Sequence, residues 1–182
     1  VLVHAPELFE NSMLLDLTAK QHINSHINNL NKVCDFSRKI RNKIGTEQKI
    51  LIVTNIGGFS THSFLDQSIK EELYESVSTN LKNIDEQHCE IIIQNMAPFP
   101  WHFGGQRYQN IFAFPDEILN FCLKNKRRIA LDTAHLSMHC KFRNENFKSA
   151  FTKLLDITAH WHMSDAQGIN GEGIQMGLGN VD

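Results

Sequence analysis

Five short apolar runs recur along the chain: VLVH (1–4), KILIVTN (49–55), CEIIIQN (89–95), RRIALDTAH (127–135) and ITAHWHMSD (157–165). Each is apolar or β-branched at its centre and shows little apolar–polar alternation. A strand with one wet face alternates, whereas a strand covered on both faces does not, so these runs predict strands of a parallel sheet. Between them the spacing changes. From residue 17 to about 44, Ile23, Ile27, Leu30, Val33, Phe36 and Ile40 recur at every third or fourth position, one stripe of an amphipathic helix. Phe64, Leu65, Ile69, Leu73, Val77 and Leu81 repeat the pattern over 63–84. Pro115 followed by Asp116 and Glu117 opens a third helix, because proline suits the first turn and carboxylates favour the amino end. Residues 145–156 predict a fourth, shorter one.

Strand and helix alternate, which predicts an α/β fold with parallel strands and right-handed crossovers. In open sheets and in barrels alike, ligands gather at the carboxyl ends of the strands. All five runs end in polar residues: His4, Asn55, Gln94, Asp132 with His135, and His162 with Asp165. A doubly wound sheet concentrates its chemistry at one or two switch points, whereas a closed barrel aims every strand end at one axis. The glycine fingerprints of phosphate and dinucleotide loops are absent after the first strand. The prediction is therefore a partial (β/α)8 TIM barrel of five parallel strands. A complete barrel takes about 250 residues; residues 1–182 form a single incomplete domain. The chain opens in a strand without a Met and closes in a loop, and both ends read as cuts in something longer.

Composition narrows the partners. Lys and Arg total 18 against 20 acidic residues, with no basic run, which argues against a dedicated nucleic-acid binder. No apolar run approaches the roughly 18 residues of a membrane span, and no signal peptide opens the chain. Cys34, Cys89, Cys122 and Cys140 are widely spaced and form no C-x-x-C, which predicts reduced, buried thiols and a cytoplasmic setting.

Several residues carry candidate chemistry. Asp132 and His135 are ordinary divalent-cation ligands at a barrel mouth; the plainer alternative is an Asp that caps the following turn. Alternation puts His160 and His162 on one strand face with Trp161 opposite, and His162 lies nearer the carboxyl end, before Ser164 and Asp165. His4 is a strand-end imidazole ahead of a proline. In the long loop 95–112, Trp101, Phe103 and Tyr108 offer a pocket wall and Arg107 an anion contact; a loop packed on itself is the alternative. The glycine-rich run DAQGINGEGIQMGLGN offers backbone amides to an anion.

Taken in order, VHAPELF, IIIQNMAP, ALDTAH and HWHMSDAQG…GLGNVD resemble the xylose-isomerase-like barrel superfamily, which includes sugar-phosphate isomerases and epimerases and the endonuclease IV type of DNA-repair enzyme. The resemblance covers nearly the whole chain, as strands three to seven of eight. It implies a divalent ion (Mn, Zn, Mg or Co) with Asp132, His162, Gln94 and His4 at ligand positions, His135 meeting substrate, and a sugar or sugar phosphate as ligand. Trp101, Arg107, Asn55 and Asp165 complete the expected substrate contacts. Two departures stand out: the family's strand-five glutamate, a ligand and catalytic base, falls on Gln94, and a strand-four histidine of the endonucleases falls on Asn55. A carboxamide has no charge and takes no proton near neutral pH. The expectation is an isomerase or epimerase in the full-length protein, assembled as a homo-oligomer, with this chain alone inactive. The alternative is a non-catalytic sugar-binding or regulatory relative, and a DNA phosphodiesterase ranks last.

Overall fold

The computed structural model describes residues 1–10, 13–102 and 104–181. It divides into two compact units, one of Val1–Gly58 and Glu71–Ile93, the other of Phe59–Lys70 and Gln94–Asp182.

The first unit holds β1 (Leu2–His4), α1 (Ile23–Ile44), β2 (Ile50–Thr54), α2 (Gln67–Leu81) from Glu71 onward, and β3 (Cys89–Gln94) up to Ile93; Gln94 belongs to the second unit. The three strands are parallel, with His4 opposite Val53 and Ile50 opposite Cys89. β1 is half-buried and its His4 exposed. Ile50, Ile52, Val53, Ile91, Ile92 and Ile93 are all buried, so β2 and β3 are covered on both faces. That is the physical reason for runs without alternation. Helix α1 starts at Ile23 rather than near residue 17. Leu17 precedes it as a buried anchor: its N–H donates to the Ile56 carbonyl, and its own carbonyl accepts from Asn80. The face α1 buries is His26, Leu30, Val33, Cys34 and Ser37, and Phe36 is turned out with 56% exposure. The helix ends at Gly45, whose φ of 67° is the left-handed conformation that glycine adopts without strain.

The second unit continues with α3 (Pro115–Asn125), β4 (Ile129–Asp132), α4 (Thr133–Arg143), α5 (Phe147–Leu154), β5 (Thr158–His162), β6 (Asp165–Gln167) and β7 (Gly171–Ile174). Strands β4 and β5 are parallel, with Asp132 opposite His162, and β6 and β7 form an antiparallel hairpin. All four residues of β4 are buried. Helix α3 opens at Pro115 with Asp116 and Glu117 in its first turn, as expected. Helix α4 has no counterpart among the predicted elements. It buries Thr133, Ala134 and every residue from Leu136 to Cys140, so no polar stripe marks it in the sequence. All five expected strands form. The run 127–135 is strand only to Asp132, and Thr133 onward is helix. The four cysteines are free and buried.

The stretch 95–112 is packed on itself. Trp101–His102 pairs with Gly105–Gln106, and Tyr108–Gln109 pairs with Phe59–Ser60. Phe64 sits among Phe99, Tyr108 and Phe142 at ring-centroid distances of 5.5, 5.2 and 5.5 Å. Among the described residues no helix is long and apolar enough to cross a membrane.

Candidate functional site

In the second unit the strand ends converge on Asp132. The last residues of β3, β4 and β5 are Gln94, Asp132 and His162. Asp132 is buried, and each of its oxygens has a donor. Oδ1 accepts the His135 backbone N–H at 3.0 Å, which makes Asp132 the N-cap of α4. Oδ2 accepts from Gln94 Nε2 at 3.2 Å, with His162 Nδ1 at 3.8 Å and His135 Nδ1 at 3.9 Å. The last two distances are those of ion-pair neighbours, too long for hydrogen bonds. Asn95 grips the main chain of the same residue. Its Oδ1 accepts the Asp132 N–H at 2.6 Å, and its Nδ2 donates to the Asp132 carbonyl at 3.1 Å. A carboxylate that ends one element and caps the next has its position set by both.

The His135 ring is held at both nitrogens. Nδ1 lies 2.8 Å from the Asn95 carbonyl, which can only accept, so Nδ1 carries a proton. Nε2 lies 3.0 Å from Glu172 Oε2 on β7. Both partners are acceptors, which favours the imidazolium. Burial by itself would push the ring's pKa down. The Glu172 hydrogen bond, the Asp132 charge and the Asn95 carbonyl outweigh burial and hold it above the ordinary histidine range. The same bond from His135 keeps the Glu172 carboxyl below its usual range.

The glycine-rich loop does bind an anion, and the anion is its own. Asp165 Oδ1 accepts from the backbone N–H groups of Ala166 and Val181, each at 2.8 Å. Its Oδ2 accepts from those of Gly177 and Gly179, each at 2.9 Å. The Val181 hydrogen bond, reinforced by those from Gly179, Ala166 and Gly177 and opposed by desolvation, lowers the Asp165 carboxyl to about 2. Asp165 therefore organises the loop that carries Glu172. Gly179 makes room for it, since a Cβ there would collide with the Asp165 carboxylate and the Ala166 carbonyl.

His4, Asn55, Trp101 and Arg107 are not placed at this centre, and His160 flanks His162. His160 and His162 share a face, with ring centroids 5.2 Å apart, and Trp161 packs on the other side against Phe151. His4 and Asn55 belong to the first unit, where His4 Nδ1 meets the Ala5 carbonyl at 2.8 Å and Asn55 donates to Glu7 at 2.6 Å. Trp101 stands out of its hairpin with 67% exposure. Arg107 follows that hairpin, its backbone N–H donating to the Pro100 carbonyl at 2.9 Å. Phe103 lies outside the described residues. Asn95 and Glu172 were not anticipated. Asn95 adjoins the strand-end Gln94 in the quoted motif, and Glu172 is the one charged residue between positions 166 and 181.

A resident divalent ion needs about three protein donors. Asp132 and His162 are two within reach of each other. Gln94 turns its amide nitrogen, which cannot ligate, toward Asp132, and its Oε1 is buried without a hydrogen-bond partner among the described residues. His135 has both nitrogens committed to acceptors. Among the described residues no group of three or more His, Cys, Asp and Glu side chains is disposed to hold a metal ion. The donor set of this unit does not fit one.

Solved structures match this fold over nearly the whole chain. A xylose isomerase domain protein from Planctomyces limnophilus superposes with a TM-score of 0.63 at 16% identity, covering 99% of this chain and 62% of that one. L-ribulose 3-epimerase gives 0.55 at 10% identity, covering 92% of this chain and 50% of that one. D-allulose 3-epimerase from Methylomonas sp., in complex with D-allulose, gives 0.54 at 13% identity, covering 92% and 52%. The chain thus spans between 50% and 62% of the lengths of these structures. No protein-family model and no curated protein matches it in sequence. What the likeness establishes is the fold alone: part of a TIM barrel.

Proposed function

We propose that this protein binds a sugar or sugar phosphate at the Asp132 centre, as a binding relative of the sugar isomerases and epimerases. The observation that carries the reading is the convergence of Gln94, Asp132 and His162 at the carboxyl ends of consecutive strands, where ligands of this architecture gather, with His135 in the first turn of α4. The structural neighbours include two sugar epimerases, one of them with D-allulose bound. Metal-assisted proton transfer is not part of the proposal. Gln94 cannot take a proton near neutral pH, and the donor set around Asp132 does not fit the divalent ion that would assist it.

The test is calorimetric titration with a panel of ketoses, aldoses and their phosphates, on the wild-type protein and on Asp132→Ser. Serine keeps an N-cap oxygen for α4 and removes the charge. We expect binding of at least one sugar, weakened by about tenfold or more in Asp132→Ser, which corresponds to about 1.4 kcal/mol. Absence of binding across the panel, or equal binding by the variant, would refute the proposal.

One observation favours a second reading, turnover as an isomerase or epimerase. The His135–Glu172 pair puts an acid and a base side by side at the same centre. On that reading, sugar incubated with the protein in deuterated water gains deuterium next to its carbonyl, and Glu172→Gln stops the exchange. No exchange above the protein-free control rejects turnover.

A further inference from the structure

We infer that Gln94 makes the Asp132 centre independent of a divalent cation, supplying from a side-chain amide the compensation that a cation would otherwise give. A buried carboxylate is costly unless its charge is met. Here the chain meets it. Asp132 Oδ1 has the His135 backbone N–H, Oδ2 has the Gln94 amide, and two imidazoles stand 3.8 and 3.9 Å from Oδ2.

The orientation of the Gln94 amide is the decisive detail. A carboxylate only accepts hydrogen bonds, so the amide must turn its NH2 group to Asp132. Its oxygen then points away, and that oxygen is the one left buried without a partner among the described residues. An ion on Asp132 Oδ2 would draw the amide oxygen inward and reverse the group. The observed arrangement is the one that suits a bare carboxylate. A cation approaching Oδ2 would also meet the amide hydrogens. The Glu172 carboxylate is already matched by the His135 ring.

Replacing one NH2 by oxygen reverses this logic. With glutamate at position 94, two carboxylates would face each other at hydrogen-bonding distance. They cannot both ionise without a shared proton or a cation between them. Position 94 is therefore the determinant of cation demand, and a ligand at this centre is held by hydrogen bonds. The identity of that ligand rests on the sugar-binding reading; the cation claim does not.

The test needs no sugar, so its outcome is separate from that of the binding panel. Wild-type protein, Gln94→Glu and Gln94→Met are stripped with chelator and titrated with Mn2+ and Zn2+ by calorimetry, and Tm is read with and without metal. We expect no stoichiometric uptake by the wild type and no change in its Tm. Gln94→Glu should gain at least tenfold in Mn2+ affinity, with a Tm that rises on adding metal. Gln94→Met, which removes the donor without adding charge, should gain no affinity and melt lower than the wild type. Uptake of one ion per wild-type chain that Asp132→Ser abolishes would overturn the inference. So would a Gln94→Glu variant that folds and binds metal no better than the wild type. If Gln94→Glu folds under neither condition, the wild-type titration decides alone, uptake at Asp132 overturning the inference and its absence supporting it.

Discussion

Asp132 and Asp165 are both buried carboxylates at strand ends, yet their partners give them different work. Asp132 keeps two imidazoles and an amide around it. Asp165 spends both oxygens on four backbone amides of its own loop. Its folded pKa of about 2 lies below the unfolded value of about 3.9. A depressed carboxyl stabilises the fold above the unfolded pKa, and that contribution is lost as pH falls through the folded one. Asp165→Asn should therefore lower Tm at pH 7, and the gap from the wild type should narrow as pH drops from about 4 toward 2; a gap independent of pH would contradict the assignment. Gly179→Ala tests the same nest sterically. Its added methyl displaces the carboxylate, so faster proteolysis of the 167–181 loop is expected, with little change in protection of β4. At this scale Asp132, His135 and His162 were legible as chemical types at strand ends. Glu172 was not, because its partner is 37 positions away and no local pattern links them.

Elements were legible where one face is dry and the other wet. α1 announced itself by its stripe, although Phe36 was assigned to the wrong face because a stripe of threes and fours does not say which of two neighbouring positions turns inward. α4 was invisible for the opposite reason, being buried nearly all round. Its start was nonetheless written in Asp132, whose side chain caps the helix while serving the site. The shorter α5 depends more on its cap than on its length. Asn146 Oδ1 accepts the Ser149 N–H at 2.8 Å. Asn146→Ala should cost about 1 kcal/mol in denaturant unfolding, and Asn146→Ser should restore most of it. Equal stability of the alanine variant and the wild type would mean that packing of Ala150 and Leu154 alone holds the helix.

For the molecule as a whole, Cys34, Cys89, Cys122 and Cys140 are buried thiols with no disulfide among them. Thermal unfolding should accordingly give the same Tm with and without reductant. A higher Tm without reductant would reveal a crosslink that the free thiols exclude. Although β1 and β5 are less buried than their runs predict, the β/α alternation, the number of strands and the polar residues that end them were legible along the chain. Those follow from local rules, since burial on both faces suppresses alternation and helical faces repeat at 3.6 residues. Only the tertiary structure decided that Gln94 gives its nitrogen to Asp132, that Glu172 holds His135, and that the glycine-rich loop folds around Asp165. Each of these is a contact between residues at least twelve positions apart. Hydrogen-bond direction and charge balance at such contacts depend on which groups meet, and no periodicity along the chain encodes that.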